Sequence, residues 1–344
     1  GKYNISVAPT GWGGTSITDN LPNDTKDILT FTVNNRVSSE SEFVFIHVGV
    51  PLEFKKVSNY LNVGITAGIE SNKLPADWAA CCNQMDAIIV PSTFVQTLFT
   101  SNGVTVPVYA IGEGVDLDIF NPSVECRLLS GSDGVMPLDF ETPFNFLSGG
   151  QWQQQQAGSD RKGIGNLVSW FVDAFEDNKE VGLILKTFIV NNSSSDNYFT
   201  AERIKQLKKG KEYPKIHLLH GDFFEEEMAQ LYRHPKVKAF VSPTSGEGWH
   251  RMLAEAISCD LPALVTGWSG HMDFVNPNYV TLFEYKIQDV HPSVWSRGLY
   301  EPGMGWAILD EEDVRRTMHR CFNGHSIARE KAAEMGKLFR VNWS

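Results

Sequence analysis

Ser242-Pro243-Thr244-Ser245-Gly246-Glu247-Gly248-Trp249-His250-Arg251-Met252-Leu253-Ala254-Glu255 is the stretch on which the reading of this chain turns. A strand-like run, Val237 to Val241, ends in a loop of small residues, and a helix is predicted directly after it, over Gly248–Ser258. Trp249, Met252, Leu253, Ala256 and Ile257 fall at i, i+3, i+4, i+7 and i+8, one apolar stripe with Glu255 off it. Glu247 stands in the loop, so two carboxylates share an E-x7-E spacing, about 12 Å apart if the rise is helical throughout. That separation excludes a shared proton and suits two acids gripping different parts of one elongated ligand. Free backbone N–H groups at Gly248 and Trp249, with the positive end of the helix dipole, would favour a phosphate between them. Sugar, phosphate and ribose in a row describe a nucleotide sugar.

Outward from that junction, short β-branched or aromatic runs alternate with helical patterns. Strands are predicted at Tyr3–Ala8, Ile28–Val33, Phe43–Val48, Leu61–Thr66, Ala87–Val90 and Val106–Ile111, then at Phe144–Leu147, Val181–Thr187, Ile216–Leu219, Ala239–Val241 and Ala263–Thr266. Helices are predicted at Trp78–Met85, Thr93–Ser101, Ile164–Phe175, Phe199–Lys208, Glu225–Tyr232, Glu311–Cys321 and Ile327–Phe339. Such alternation implies parallel sheets covered by helices on both faces. The stretch from Ser123 to Thr142, with Gly131, Gly134 and Pro137, lacks periodicity and reads as a connection between domains. The expected fold class is α/β, with two doubly wound Rossmann-like domains facing across a cleft: residues 1–122, a linker at 123–142, and 143–324.

The 344 residues are 42% hydrophobic and 21% charged, an ordinary globular composition with length for two domains. The formal net charge of −11 argues against a nucleic-acid partner and weakens nonspecific docking on anionic lipid. No apolar run approaches the length of a membrane span. Gly1 to Val7 goes straight into a strand pattern, so no signal peptide is expected. Five cysteines, with Cys81 and Cys82 adjacent and none at metal-ligand spacing, read as reduced thiols. A cytoplasmic location follows, compatible with peripheral membrane contact, and the Asn-x-Ser/Thr triplets at Asn4, Asn23 and Asn191 are taken as chance matches.

The opening stretch resembles the E-x7-E signature of family-four retaining glycosyltransferases, which have the GT-B fold. Further stretches match landmarks of that family in its order. They are Asp86-Ala87-Ile88-Ile89-Val90-Pro91-Ser92, Gly112-Glu113-Gly114-Val115-Asp116 with Phe120-Asn121-Pro122, Arg161-Lys162-Gly163, Leu261-Pro262-Ala263-Leu264-Val265-Thr266 and Trp268-Ser269-Gly270. The resemblance covers nearly the whole chain. It implies that Glu247 binds hydroxyls of the donor sugar and that Glu255 accepts hydrogen bonds from the ribose. Gly246 and Gly248 would let the backbone approach the phosphate closely. Arg161 and Lys162, read as opening the helix after the first strand of the second domain, would neutralise the departing diphosphate. Lys186 at a strand end is a third cation, and Gly221 and Asp222 stand where relatives hold the base through backbone groups. Gly11-Trp12-Gly13-Gly14-Thr15 is a turn whose amides, at Gly13 and Gly14, would lie under the donor phosphates; it is not a dinucleotide fingerprint. His47, ending a strand, would orient the donor sugar or stabilise developing positive charge, and Glu70 would contact the acceptor. His271 and Asp273 are further polar candidates. The terminal helix, about 325–344, would cross back onto the first domain.

Two features cut across the pattern. Many relatives carry an arginine just after the glycine that ends the first strand of the second domain, where this chain has Gly149-Gly150-Gln151-Trp152. Asp116-Leu117-Asp118 matches the D-x-D metal motif of the other large glycosyltransferase fold, yet it sits inside a landmark of the metal-free fold. The expected activity is transfer from a UDP- or GDP-linked sugar to a hydroxyl of a glycan, lipid-linked or small-molecule acceptor, with retention and without metal or cofactor. The alternatives are a catalytically inactive nucleotide-sugar-binding protein of the same fold and an epimerase acting on its own nucleotide sugar.

Overall fold

The computed structural model describes residues 43–127, 138–154 and 158–343. The predicted strands Tyr3–Ala8 and Ile28–Val33, the glycine turn with Gly13 and Gly14, and much of the predicted linker lie outside the described residues. Among those described, 43–45 and Val57–Leu61 belong to one compact unit, and Ile46–Lys56 with everything from Asn62 onward belong to another. The functional residues treated below all lie in the second.

The first sheet has the order β1-β2-β3-β4, from Val44–Val48 (β1), Leu61–Ile65 (β2), Ala87–Val90 (β3) and Val108–Ala110 (β4), and β2, β3 and β4 pair in parallel. Two helices accompany it, Trp78–Cys82 (α1) and Thr93–Ser101 (α2). Ser92 starts α2 by accepting the Val95 N–H at its side chain, an N-cap that satisfies one of the four orphan donors of a helix start.

The second sheet is built from Phe144–Gln151 (β5), Val181–Phe188 (β6), Lys215–Leu219 (β7), Val237–Ser242 (β8), Ala263–Thr266 (β9) and Thr281–Phe283 (β10), in the order β10-β9-β8-β5-β6-β7. Every pair in it is parallel. Its four central strands, β9, β8, β5 and β6, are buried on both faces. Phe146, Leu183, Leu185, Ala239 and Val241 pack with Ile164, Val168 and Phe171 in one core cluster, while Leu147, Ile184 and Phe240 pack with Leu253, Ile257 and Phe339 in another. Side-chain alternation along a strand divides the residues in this way, and near-continuous apolar runs mark a parallel sheet covered on both sides. The covering helices are Ile164–Ala174 (α3), Ser194–Lys208 (α4), Glu225–Arg233 (α5), Arg251–Ser258 (α6), Glu311–Asn323 (α7) and His325–Asn342 (α8). The last of these packs on α6, with Arg340 donating to the Ser258 carbonyl and to Asp260, both at 2.7 Å.

Three strands were not anticipated, the short edge strand β10 and the two that follow it. Tyr285–Asp289 (β11) and Gly305–Leu309 (β12) pair as an antiparallel hairpin after β10. Trp306 and Met304 from this segment, with Val290, join Ile69, Trp78, Ile88 and Val95 in the core of the first sheet.

The strand order positions the site. From β5 the chain runs outward through β6 and β7, then returns to the other side of β5 as β8. The loops leaving β5 and β8 therefore diverge, and in open α/β sheets ligands bind in the crevice at such a reversal, at the carboxyl ends of the strands. Arg161 and Lys162 lie on the first loop and Glu247 on the second. No helix is long and apolar enough to cross a membrane among the described residues. Cys82, Cys259 and Cys321 are free and buried, with thiols pushed up to about 12 by that burial, so none is a ready nucleophile.

Candidate active site

Glu247 is 6% exposed, and both oxygens of its carboxylate have cationic neighbours. Lys162 Nζ stands 2.7 Å from Oε1, Thr244 Oγ1 donates to the same oxygen at 2.8 Å, and Arg161 NH1 lies 3.4 Å from Oε2. Burial by itself would raise this carboxyl, but the adjacent Lys162 and Arg161 charges hold it well below the ordinary range, so it is ionised. The Glu70 and Glu247 charges outweigh the burial that disfavours the Arg161 guanidinium and keep it cationic.

Three loops fix this cluster. The Ser245 N–H donates to the Arg161 carbonyl at 2.7 Å and Arg161 NH1 to the Gly246 carbonyl at 2.6 Å, lacing the loop after β5 to the loop after β8. From the loop after β9, Ser269 Oγ accepts the Glu247 N–H at 2.9 Å, and the Gly270 N–H donates to the Glu247 carbonyl at 2.9 Å. Thr244 and Ser269 thus shape the site, although sequence reasoning gave neither a role. Their signal was only proximity to the quoted motifs.

The helix after β5 starts at its predicted residue, Ile164, whereas the helix after β8 starts later than the sequence suggested. Arg161 and Lys162 do not open α3. They lie in the turn before it, and Gly163, with φ 67°, separates them from the helix. A Cβ at Gly163 would stand 2.5 Å from the Pro243 carbonyl oxygen, so that position requires glycine for two reasons. The helix predicted from Gly248 begins only at Arg251, because His250 adopts φ 87°, which no right-handed helix accommodates. The His250 ring is anchored by Ser242 Oγ at 2.9 Å and tilts against Phe240, and burial lowers its pKa to about 3, so it is neutral. Helical rise consequently does not apply between Glu247 and His250, and the estimate of acid separation made from it falls. The anion-seeking character survives in altered form. Among the described residues none accepts a hydrogen bond from the backbone N–H groups of 248–252, three in the loop and two in the first turn of α6.

Gly246 and Gly248 also have protein neighbours. A Cβ at Gly248 would meet the Ala67 carbonyl oxygen at 2.4 Å, and one at Gly246 would meet the Trp268 ring at 2.8 Å. Close chain approach requires both glycines. Trp249 is a core residue, 4.7 Å from Phe274 and 5.0 Å from Trp343 between ring centroids.

Glu255 lies within α6, buried. Tyr232 donates to Oε2 and Arg251 Nε to Oε1, each at 2.9 Å, and Arg251 reaches on to Glu225. Burial raises this carboxyl despite Arg251. Lys186 donates to the Gly221 carbonyl and lies 4.8 Å from the centroid of the Phe223 ring, beside exposed Asp222 at the carboxyl ends of β6 and β7. Burial lowers its ammonium. No contact joins this pair to the Glu247 cluster among the described residues. His47 on β1 accepts the Lys55 N–H at Nδ1 and packs on Phe54. Gln151 donates from its amide to the Ile189 carbonyl at 2.9 Å. Asp273 clasps the start of α2 through the Thr93 N–H and hydroxyl, both at 2.6 Å, while His271 donates from Nε2 to the Thr266 carbonyl at 2.7 Å. Asp116 accepts the Asp118 N–H, a local turn, and no cluster of His, Cys, Asp and Glu suited to a metal occurs among the described residues.

No family model matches the chain, and no curated protein matches it in sequence. Solved structures do. A glycosyltransferase from Rickettsia africae ESF-5 is similar at a TM-score of 0.58 and 16% identity, over 83% of this chain and 67% of that one. Sucrose-phosphate synthase from Thermosynechococcus elongatus is similar at 0.57 and 15%, over 85% of this chain and 65% of that one. Anabaena HepE, solved in complex with UDP and glucose, is similar at 0.55 and 14%, over 83% and 68%. The chain has the GT-B fold. It spans about two thirds of the length of these GT-B structures, and identities this low carry the fold and no further property. Within the GT-B frame, the Arg161–Lys162–Glu247 cluster occupies the strand-order reversal of the second sheet.

Proposed function

We propose that the protein is a retaining glycosyltransferase that moves a sugar from a nucleoside-diphosphate sugar to a hydroxyl acceptor without a metal. The observation that carries this reading is the convergence of Arg161 and Lys162 on the buried Glu247 carboxylate, beside a run of acceptor-free N–H groups. Each cation has donors to spare: Lys162 has three N–H groups and Arg161 five, so both can bind a diphosphate while still holding Glu247. In this mechanism the bond from the anomeric carbon to the diphosphate oxygen breaks as Arg161, Lys162 and the 248–252 amides neutralise the leaving group. The acceptor hydroxyl attacks from the same face and passes its proton to the departing phosphate oxygen. Glu247, kept ionised, accepts hydrogen bonds from the donor sugar. Residues 1–122 would shape the acceptor side and 143–324 the donor side.

HepE was solved with UDP and glucose, which supports UDP-glucose as the first donor to try, with GDP-linked sugars next. Incubation with a panel of nucleotide sugars is expected to release nucleoside diphosphate slowly without acceptor and faster with one. Absence of release from every donor, with tight binding of one, would instead favour a nucleotide-sugar-binding protein without catalysis. That second reading is supported by Gln151, whose amide is committed to Ile189 where many relatives place a cation.

A further inference from the structure

Tyr300 lies in the segment between β11 and β12, which residues 72–78 between β2 and the end of α1 hold by hydrogen bonds. Trp78 Nε1 donates to the Gly298 carbonyl at 2.8 Å, the Ala76 N–H to Glu301 at 3.0 Å, and the Gly305 N–H to Asn72 at 2.7 Å. The Tyr300 ring meets Trp306 edge-on, with centroids 5.3 Å apart. Its hydroxyl donates to Glu70 Oε2 at 3.0 Å, and the other oxygen of Glu70 stands 3.2 Å from Arg161 NH1. Burial and then the Glu70 charge keep that hydroxyl protonated, so it is a fixed donor. Glu70 therefore has one oxygen turned to the hairpin segment and the other to the cation of the candidate site.

We propose that Tyr300 and Glu70 are positioning residues for Arg161: the tyrosine hydroxyl orients the Glu70 carboxylate, which holds the guanidinium where the donor diphosphate departs. The inference rests on the glycosyl-transfer reading of Arg161. An arginine side chain has many rotamers, and a catalytic cation acts best when no reorganisation is needed at the moment of reaction. Arg161 is about one quarter exposed, at 24%, and is held by contacts to its terminal nitrogen. The Gly246 carbonyl at 2.6 Å and Glu247 at 3.4 Å hold its terminal nitrogen from the loop after β8, and Glu70 at 3.2 Å holds it from another loop. With both Glu70 oxygens engaged in this way, an acceptor contact by Glu70 is displaced in favour of a positioning role.

The test uses the full chain, Tyr300→Phe, Glu70→Gln and the double variant. UDP, GDP and ADP binding is measured by calorimetry, and donor turnover is measured over a range of donor concentrations. Tyr300→Phe keeps the ring packing on Trp306 and should stay folded; Glu70→Gln serves if it does not. Each single variant is expected to weaken nucleoside diphosphate binding about fivefold, the loss of one charge-assisted contact. The turnover number should fall about tenfold with little change in donor KM, since Arg161 acts chiefly as charge develops. The double variant should be no worse than Glu70→Gln alone, because Tyr300 acts through Glu70. Packing without positioning would give additive losses in stability and leave the KM and turnover split unmoved, which overturns the relay. Wild-type binding and turnover by Tyr300→Phe overturns it as well, with the transferase reading intact. A wild-type protein that binds none of the three nucleotides and releases none from any donor overturns both.

Discussion

The loop of residues 243–250 and the helix Arg251–Ser258 each hold one acid of the E-x7-E pair, and they treat it in opposite ways. In the loop, Glu247 meets two cations and stays ionised against the pull of burial. In the helix, Glu255 meets the Tyr232 hydroxyl and Arg251, and burial prevails, raising its carboxyl. One motif thus supplies a charged group facing two cationic donors and a second acid bound into the packing of α5 against α6. The contrast teaches that equal spacing in sequence does not give equal electrostatics. The cations come from a distant loop that reaches only the first acid.

The comparison breaks most visibly at Lys162. Removing the cation in Lys162→Ala should reduce donor turnover by about 10²–10³-fold in kinetic assays, as loss of a preorganised charge at a leaving group does, with the fold intact by circular dichroism. Near-normal turnover would show that the loop's charge arrangement is structural, like that of the helix. At Glu255 the larger effect should be on stability. Glu255→Ala leaves a buried tyrosine hydroxyl without its acceptor and frees Arg251, and urea denaturation should show a loss of about 1–3 kcal/mol.

Stability against pH sharpens the same contrast. Glu247 has a folded pKa below its ordinary 4.5, so its contribution is present above that value and lost as pH falls through the depressed one. Glu255 has a folded pKa above 4.5, so its contribution is full below that value and lost as pH rises through the raised one. Thermal unfolding between pH 3 and 8 should therefore show Glu247→Gln losing the stabilisation that the wild type gains on leaving acid. Glu255→Gln should lose the decline that follows. Parallel profiles for the two variants would mean the acids are not treated differently. The smallest effect is expected at the hinge between loop and helix. Ser242→Ala removes the anchor of the His250 ring and should cost about 1 kcal/mol in urea denaturation.

Much of the fold was legible because it is local. Ala87–Val90, Thr93–Ser101 and Ala263–Thr266 have the predicted limits, since alternation, an N-cap serine and short apolar runs are written in adjacent residues. Phe144–Gln151 runs four residues beyond its predicted end, through Ser148-Gly149-Gly150, because pairing with β6 continues where propensity stops. The hairpin of Tyr285–Asp289 and Gly305–Leu309 was missed. Its alternation of Tyr285 and Ile287 against Trp306 and Ile308 is present in the sequence, but fifteen residues separate the two strands, far more than a turn signal spans. Tyr300 was missed with it.

At the site, the sequence by itself determined the chemistry on offer: a loop acid between glycines, a cation pair before a helix, and parallel strands whose carboxyl ends carry them. Only the tertiary structure decided which groups meet. That Lys162 neutralises Glu247 and that Tyr232 takes Glu255 depend on strand order and on contacts between residues far apart in the chain. Composition and periodicity report a residue's immediate neighbours. The charge state of a buried acid is set by whichever remote loop folding carries to within a few ångströms of it.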